Sequence, residues 1–86
     1  MEIRDIFARN LRNRRNEKGL SQEGLAALAN LDRGYISSLE RRVYSPTIDT
    51  VDTLAQVLGI EAADLLKSEK ANRPSRKQKN AAPTEE

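Results

Sequence analysis

Apolar residues recur with a helical period along most of this chain and almost stop after Lys67. Ile3, Phe7 and Leu11 stand at i, i+4 and i+8 among polar residues, which predicts an amphipathic first helix ending near Gly19, after Lys18. Ser21 stands where an N-cap should, its hydroxyl available to the orphan amides of the next turn. Leu25, Ala26, Leu28 and Ala29 supply the buried side of the short second helix that follows. Asn30 tolerates the left-handed conformation, and Asp32 can cap a third helix whose apolar positions are Ile36 and Leu39. Pro46 disfavours helix at Ser45, whereas Thr47 is a good cap for the run Ile48, Val51, Leu54, Ala55 and Leu58, which Gly59 stops. Ile60, Leu65 and Leu66 predict a final short helix with Glu61 and Asp64 on its wet side. The expectation is a compact, all-α domain of five helices over residues 1–67, followed by a disordered basic tail over 68–86 that has nothing to offset its ordering entropy.

Charge adds a direction to this picture. Residues 1–42 carry nine Lys/Arg against six Asp/Glu, residues 43–66 carry no base and four acids, and residues 67–86 carry six bases against three acids. A chain polarised basic, acidic, basic suggests one face for a polyanion and another turned away from it, although solvated helix surfaces would give the same count. With no Cys and no His, the sequence has no thiol nucleophile, disulfide framework, imidazole base or usual zinc site. We therefore assign no catalytic residue, no metal and no cofactor. No apolar run is long enough to span a membrane or form a secretory core, so a cytoplasmic protein is expected. Phe7, Tyr35 and Tyr44 are the only aromatics, which favours packed helices of Leu, Ile, Val and Ala over a β-sandwich.

The spacing across the second and third helices carries the functional signal. Counted from Gln22, Ala26 is small where the helices must touch, Asn30 lies where a positive φ is needed, and Leu31, Ile36 and Leu39 occupy the positions that lock the second helix across the first. An αα-hairpin of purely structural purpose could match some of these demands. The stretches Lys18-Gly19-Leu20-Ser21-Gln22-Glu23, Tyr35-Ile36-Ser37-Ser38-Leu39-Glu40-Arg41 and Ser45-Pro46-Thr47-Ile48, with Leu54-Ala55-Gln56-Val57-Leu58-Gly59, then make the resemblance specific. Residues 6–66 resemble the XRE-type helix-turn-helix regulators, the Cro and phage-repressor family with its lambda-repressor-like fold. Leu31-Asp32-Arg33-Gly34-Tyr35-Ile36-Ser37 is also similar to restriction-modification controllers. The resemblance implies a five-helix domain that binds a pseudo-palindromic operator in double-stranded DNA as a homodimer and controls transcription.

From this resemblance Gln22 inherits a phosphate contact, which the positive end of the second helix supports, and Ser21 shares that site. Arg15 and Glu40 inherit a structural ion pair; Arg12 and Arg14 read as ordinary solvated charges. If the recognition helix runs from Arg33 to about Leu39 with Ile36 and Leu39 inward, then Arg33, Gly34, Ser37 and Ser38 face the groove. Arg33 leads, because a guanidinium can present two donors to guanine O6 and N7. Tyr35 reaches a phosphate or sugar, or else packs against the second or fourth helix. Arg41 and Arg42, just past the helix, are placed for phosphates. The family and a weak apolar signal put the dimer surface at Ile60, Leu65 and Leu66. Gly24 should cost the second helix about 1 kcal/mol relative to Ala, and Arg42 stands where a turn glycine is frequent. One alternative accompanies this reading, a protein-binding adaptor or antitoxin working through the acidic fourth helix; within the regulator reading, Asp49, Asp52 and Gln56 either dock RNA polymerase or simply keep the surface soluble.

Overall fold

The computed structural model describes residues 2–68, which form α1 (Ile3–Glu17), α2 (Gln22–Ala29), α3 (Arg33–Glu40), α4 (Ile48–Leu58) and a closing 3₁₀ turn (Ala62–Leu65). Of the tail expected over 68–86, all but Ser68 lies outside these residues. Two helices start on side-chain caps: the hydroxyls of Ser21 and Thr47 accept the amide N–H groups of Gly24 at 2.9 Å and Thr50 at 3.0 Å. Two end on left-handed residues, Asn30 (φ 58°) and Gly59 (φ 72°), which let the following backbone return bonds to the last turn. Asp32 occupies the cap position of α3 but makes no capping bond with its side chain.

Phe7, Leu11, Leu25, Ile36, Leu39, Leu54 and Leu65 are the largest fully buried side chains, each removing roughly 2 kcal/mol worth of apolar surface from water. They join all four helices and the 3₁₀ turn into one core, with α2 against α3 and α4, and α1 against α3 and the final turn. Ala26 and Ala29 are small enough to let the neighbours of α2 approach, which sets the crossing of the helix-turn-helix pair.

The anticipated fifth helix is this single 3₁₀ turn. Only six residues separate Gly59 from Leu66, and the carbonyls that would extend a helix are engaged elsewhere. Asn10, buried on the inner face of α1, donates its Nδ2 to the carbonyl oxygens of Leu65 at 3.0 Å and Lys67 at 2.6 Å. Asp64 accepts the Glu61 amide at 3.1 Å and tightens the turn from its other end; that bond, chiefly, holds its carboxyl below the ordinary range.

Four apolar assignments also change. Leu28, expected inside, is exposed, because it sits about 100° round the helix from Ala29 and off the buried arc of α2. Ile3 and Ile48 are exposed as well, each being the first residue of its helix and overhanging the core rather than entering it. Leu65 is fully enclosed within one copy of the chain, so it cannot contribute to a contact between copies; Leu66 keeps 40% of its surface open.

Candidate nucleic-acid interface

Ile36 and Leu39 anchor α3 into the core, and this leaves Arg33 and Gly34 exposed and Ser37 and Ser38 half-exposed on the outer side. The helix begins with no acidic residue in its first turn and with Arg33 as its first residue, so the cation leads into solvent. Gly34 keeps the approach low, since a Cβ there would come within 3.3 Å of an Asp32 carboxylate oxygen. Tyr35 packs partly on the core and lies 6.5 Å, centroid to centroid, from the ring of Tyr44 in the α3–α4 loop.

The base of this face is fixed by a buried charge. Arg15 grips Glu40 with two nitrogens, Nε to Oε2 at 2.7 Å and Nη2 to Oε1 at 3.0 Å, while its Nη1 donates to the Leu20 carbonyl at 2.9 Å. Gln22 donates Nε2 to the same Oε1 at 3.1 Å, and the Nε of Arg12 lies 3.5 Å from it. Burial pushes the Glu40 carboxyl up. The hydrogen bonds from Arg15 and Gln22, the Arg15 charge and the Arg12 bond outweigh it and hold the group below the ordinary carboxylate range. The bond to Glu40 correspondingly raises Arg15. One carboxylate thus ties the end of α3 to α1 and to the first residue of α2.

Gln22 and Arg12 each make a contact that their sequence readings did not include. The amide of Gln22, expected at a phosphate, spends one N–H on Glu40 and retains one. Arg12, read as a solvated charge, belongs to the Glu40 cluster; the available signal was that it stands three residues before Arg15, on the same helical face. Ser21 accepts from Gly24 and keeps its hydroxyl proton to donate outward.

The two arginines after α3 separate. Arg41 is exposed at the helix end, whereas Arg42 takes φ 67° and turns back toward α1, its Nε 3.2 Å from Asp5 Oδ1. A left-handed backbone is what a turn glycine would supply; here the arginine adopts it. The structure thus brings Ser21, Gln22 and the outer side of α3 onto adjoining segments and places Arg42 with α1. Of the expected dimer residues, Ile60 packs at the core edge and Leu65 is inside it, leaving Leu66 beside an apolar groove of about 170 Å³ lined by Ile3, Phe7, Pro46, Ile48 and Val51. The outer residues of α4, Asp49, Asp52 and Gln56, are exposed, with Gln56 donating to Asp52 at 3.0 Å. No helix of the described residues is long and apolar enough to cross a membrane.

A helix-turn-helix family model, HTH_3, matches residues 11–65, and so takes in α2, α3 and the Glu40 cluster. The control protein C.SmaI of Serratia marcescens is 42% identical over 66 residues, covering 77% of this chain and 79% of that protein. Among solved structures, the hypothetical transcription factor NHTF from Neisseria superposes with a TM-score of 0.80 at 36% identity, over 81% of this chain and 80% of the other. The restriction-modification controller C.Esp1396I, solved as a tetramer with its natural 35 base-pair operator, superposes with a TM-score of 0.67 at 29% identity, over 78% of this chain and 99% of that one.

Proposed function

The chain belongs to the XRE-type HTH_3 helix-turn-helix family of DNA-binding transcription regulators, and on that premise we propose that it is a sequence-specific regulator that binds a pseudo-palindromic operator as a homodimer with α3 in the major groove. The observation that carries this reading is the division of α3: Ile36, Leu39 and Glu40 are buried, while Arg33 and Gly34 are open at its leading end. A helix so held can present side chains to base edges without loss of register, because its foot is bonded to two other helices. In this arrangement Arg33 reads a base pair, Ser37 and Ser38 make shorter contacts, and Ser21, the second N–H of Gln22 and Arg41 hold phosphates.

One recognition helix offers few base contacts, so specificity needs a second copy. The exposed apolar rim of Ile3, Ile48 and Leu66 supplies the pairing surface in place of Leu65. The likeness to C.SmaI and to the operator-bound C.Esp1396I assembly supports the sub-class of small controllers, in which concentration and self-association set occupancy. The open acidic side of α4 favours one addition, docking of RNA polymerase by Asp49 and Asp52 when the protein sits beside a promoter. Reversing both to Lys should then abolish activation at unchanged DNA affinity.

The test of the main reading is a footprint of the full chain on the DNA upstream of its own gene, beside titration of random duplex. Two symmetric protected half-sites with centres about 34 Å apart are expected. A single asymmetric half-site at full occupancy, or equal affinity for both duplexes, would refute it.

A further inference from the structure

Between α1 and the end of α3 lies a cavity of about 250 Å³ lined by Ala8, Arg9, Arg12, Asn13, Glu40 and Arg42. Three arginines therefore border it, and the carboxylate of Glu40, which also lines it, is already matched by the two-pronged bond from Arg15. The Nε of Arg12 lies 3.5 Å from Glu40 Oε1, and the side chain is 58% exposed. Its terminal nitrogens keep four further N–H donors for a tetrahedral oxyanion. Arg42 reaches the cavity because its left-handed backbone sends the side chain back toward α1, where Asp5 holds it at 3.2 Å. A small residue, Ala8, leaves the room.

The position of the cavity says which oxyanion. Oε1 of Glu40 is approached both by Arg12, which lines the cavity, and by Gln22, the first residue of α2, so the Glu40 cluster links the cavity to that helix end. We infer that the Arg9–Arg12–Arg42 cavity is a second phosphate site, which takes a DNA backbone phosphate other than the one held by Ser21 and Gln22. The inference rests on the DNA-binding reading above and enlarges it: the phosphate clamp includes α1, and the strand is gripped on both sides of the Glu40 cluster. In this role Arg42 contributes from the α1 side, while Arg41 serves the other edge of α3.

The test uses the full chain carrying Arg12→Gln, which leaves Arg15 and Gln22 to satisfy Glu40, and separately Arg9→Gln. Affinity for operator and for random duplex is measured against salt, with thermal unfolding as the folding control and the Arg12 Nε–H resonance as the local probe. Arg12→Gln should weaken both duplexes by the same factor and flatten the salt dependence by about one phosphate per subunit, so that its deficit shrinks about threefold per subunit between about 50 and about 200 mM salt. The Arg12 resonance should shift with duplex and stay in place with inorganic phosphate at a few millimolar. A shift with inorganic phosphate as well would support the phosphate chemistry and add the free anion as a source. Unchanged affinity and unchanged salt slope in folded Arg12→Gln and Arg9→Gln variants would overturn the inference while leaving the DNA reading intact. So would a loss confined to the operator with altered base preference, because Arg12 would then act through α3. A wild-type protein that bound no duplex at any salt would refute the functional reading itself.

Discussion

The Glu40 cluster and the rim of Ile3, Ile48 and Leu66 invert the usual placement of residue types: the former buries a charge, the latter exposes three large aliphatic side chains. Glu40 has lost all of its side-chain contact with solvent yet has hydrogen-bond donors from three residues, whereas Ile48 retains 87% of its surface and makes no comparable set of contacts. A buried carboxylate is tolerated because its partners surround it, and it selects one geometry for α1, α2 and α3. An exposed isoleucine is tolerated because solubility permits isolated apolar patches, and it leaves a surface for a second molecule. On the proposed reading, the cluster holds α3 in place within one copy, and the rim serves the relation between two copies. Substitutions should therefore act on stability at the first site and on association at the second.

The largest effect is expected at the cluster. Glu40→Ala leaves Arg15 partly buried without its partner and should cost about 3–5 kcal/mol in urea unfolding, enough to threaten the fold of a small domain. The wild type carries the same dependence in its acid response. Because the folded pKa of Glu40 lies below its unfolded value, its contribution is complete above the unfolded value and is lost as pH falls through the folded one. Stability measured down the acid side of the ordinary carboxylate range should fall, and the Glu40→Gln variant should show a shallower decline. A wild type as stable at the bottom of that range as at neutrality would contradict the assignment.

Two adjacent leucines sharpen the contrast next. Leu65→Ala should cost about 2–5 kcal/mol by opening a core cavity, whereas Leu66→Ala should cost less than about 1 kcal/mol and instead weaken self-association. Ile48→Lys, at the rim's most open position, should change monomer stability by no more than about 0.5 kcal/mol while shifting sedimentation toward monomer and lowering operator affinity. If Ile48→Lys stayed dimeric, the pairing surface would lie elsewhere. The smallest effects are at the backbone. Arg42→Gly should raise stability by up to about 1 kcal/mol by relieving the left-handed residue, offset by a few tenths for the exposed Asp5 pair. Gly24→Ala should gain less than the usual 1 kcal/mol or so of helix propensity, because the new Cβ would come within 3.3 Å of the capping Ser21 hydroxyl.

What was legible in the sequence follows the same division. Caps at Ser21 and Thr47, left-handed stops at Asn30 and Gly59, and the buried rows from Phe7 to Leu58 are local patterns, repeated every helical turn, and each recurs in the structure. Periodicity misplaced Ile3, Leu28 and Ile48 because it cannot say where a neighbouring helix ends, and a helix's first residue can overhang its core. It also could not see that Asn10, a polar residue one position before Leu11, would take the carbonyls of a segment 55 residues away and cut the last helix to one 3₁₀ turn. At the candidate site, the outward set on α3 and the Arg15–Glu40 pairing were readable from spacing and resemblance. The Gln22 bond to Glu40, the recruitment of Arg12 and the reversal of Arg42 were not, since each depends on contacts made across the fold.

The central claim, that α3 reads bases from its leading end while its flanks hold phosphates, is tested most directly by comparing Arg33→Ala with Arg41→Ala across a set of operator variants at several salt concentrations. Arg33→Ala should cost about 1–3 kcal/mol per subunit on the best operator and relax preference at one base pair. Arg41→Ala should weaken every sequence alike and make the salt slope shallower by about one unit per subunit. The same uniform loss from both substitutions, with base preference intact in Arg33→Ala, would contradict the assignment of Arg33 to the bases.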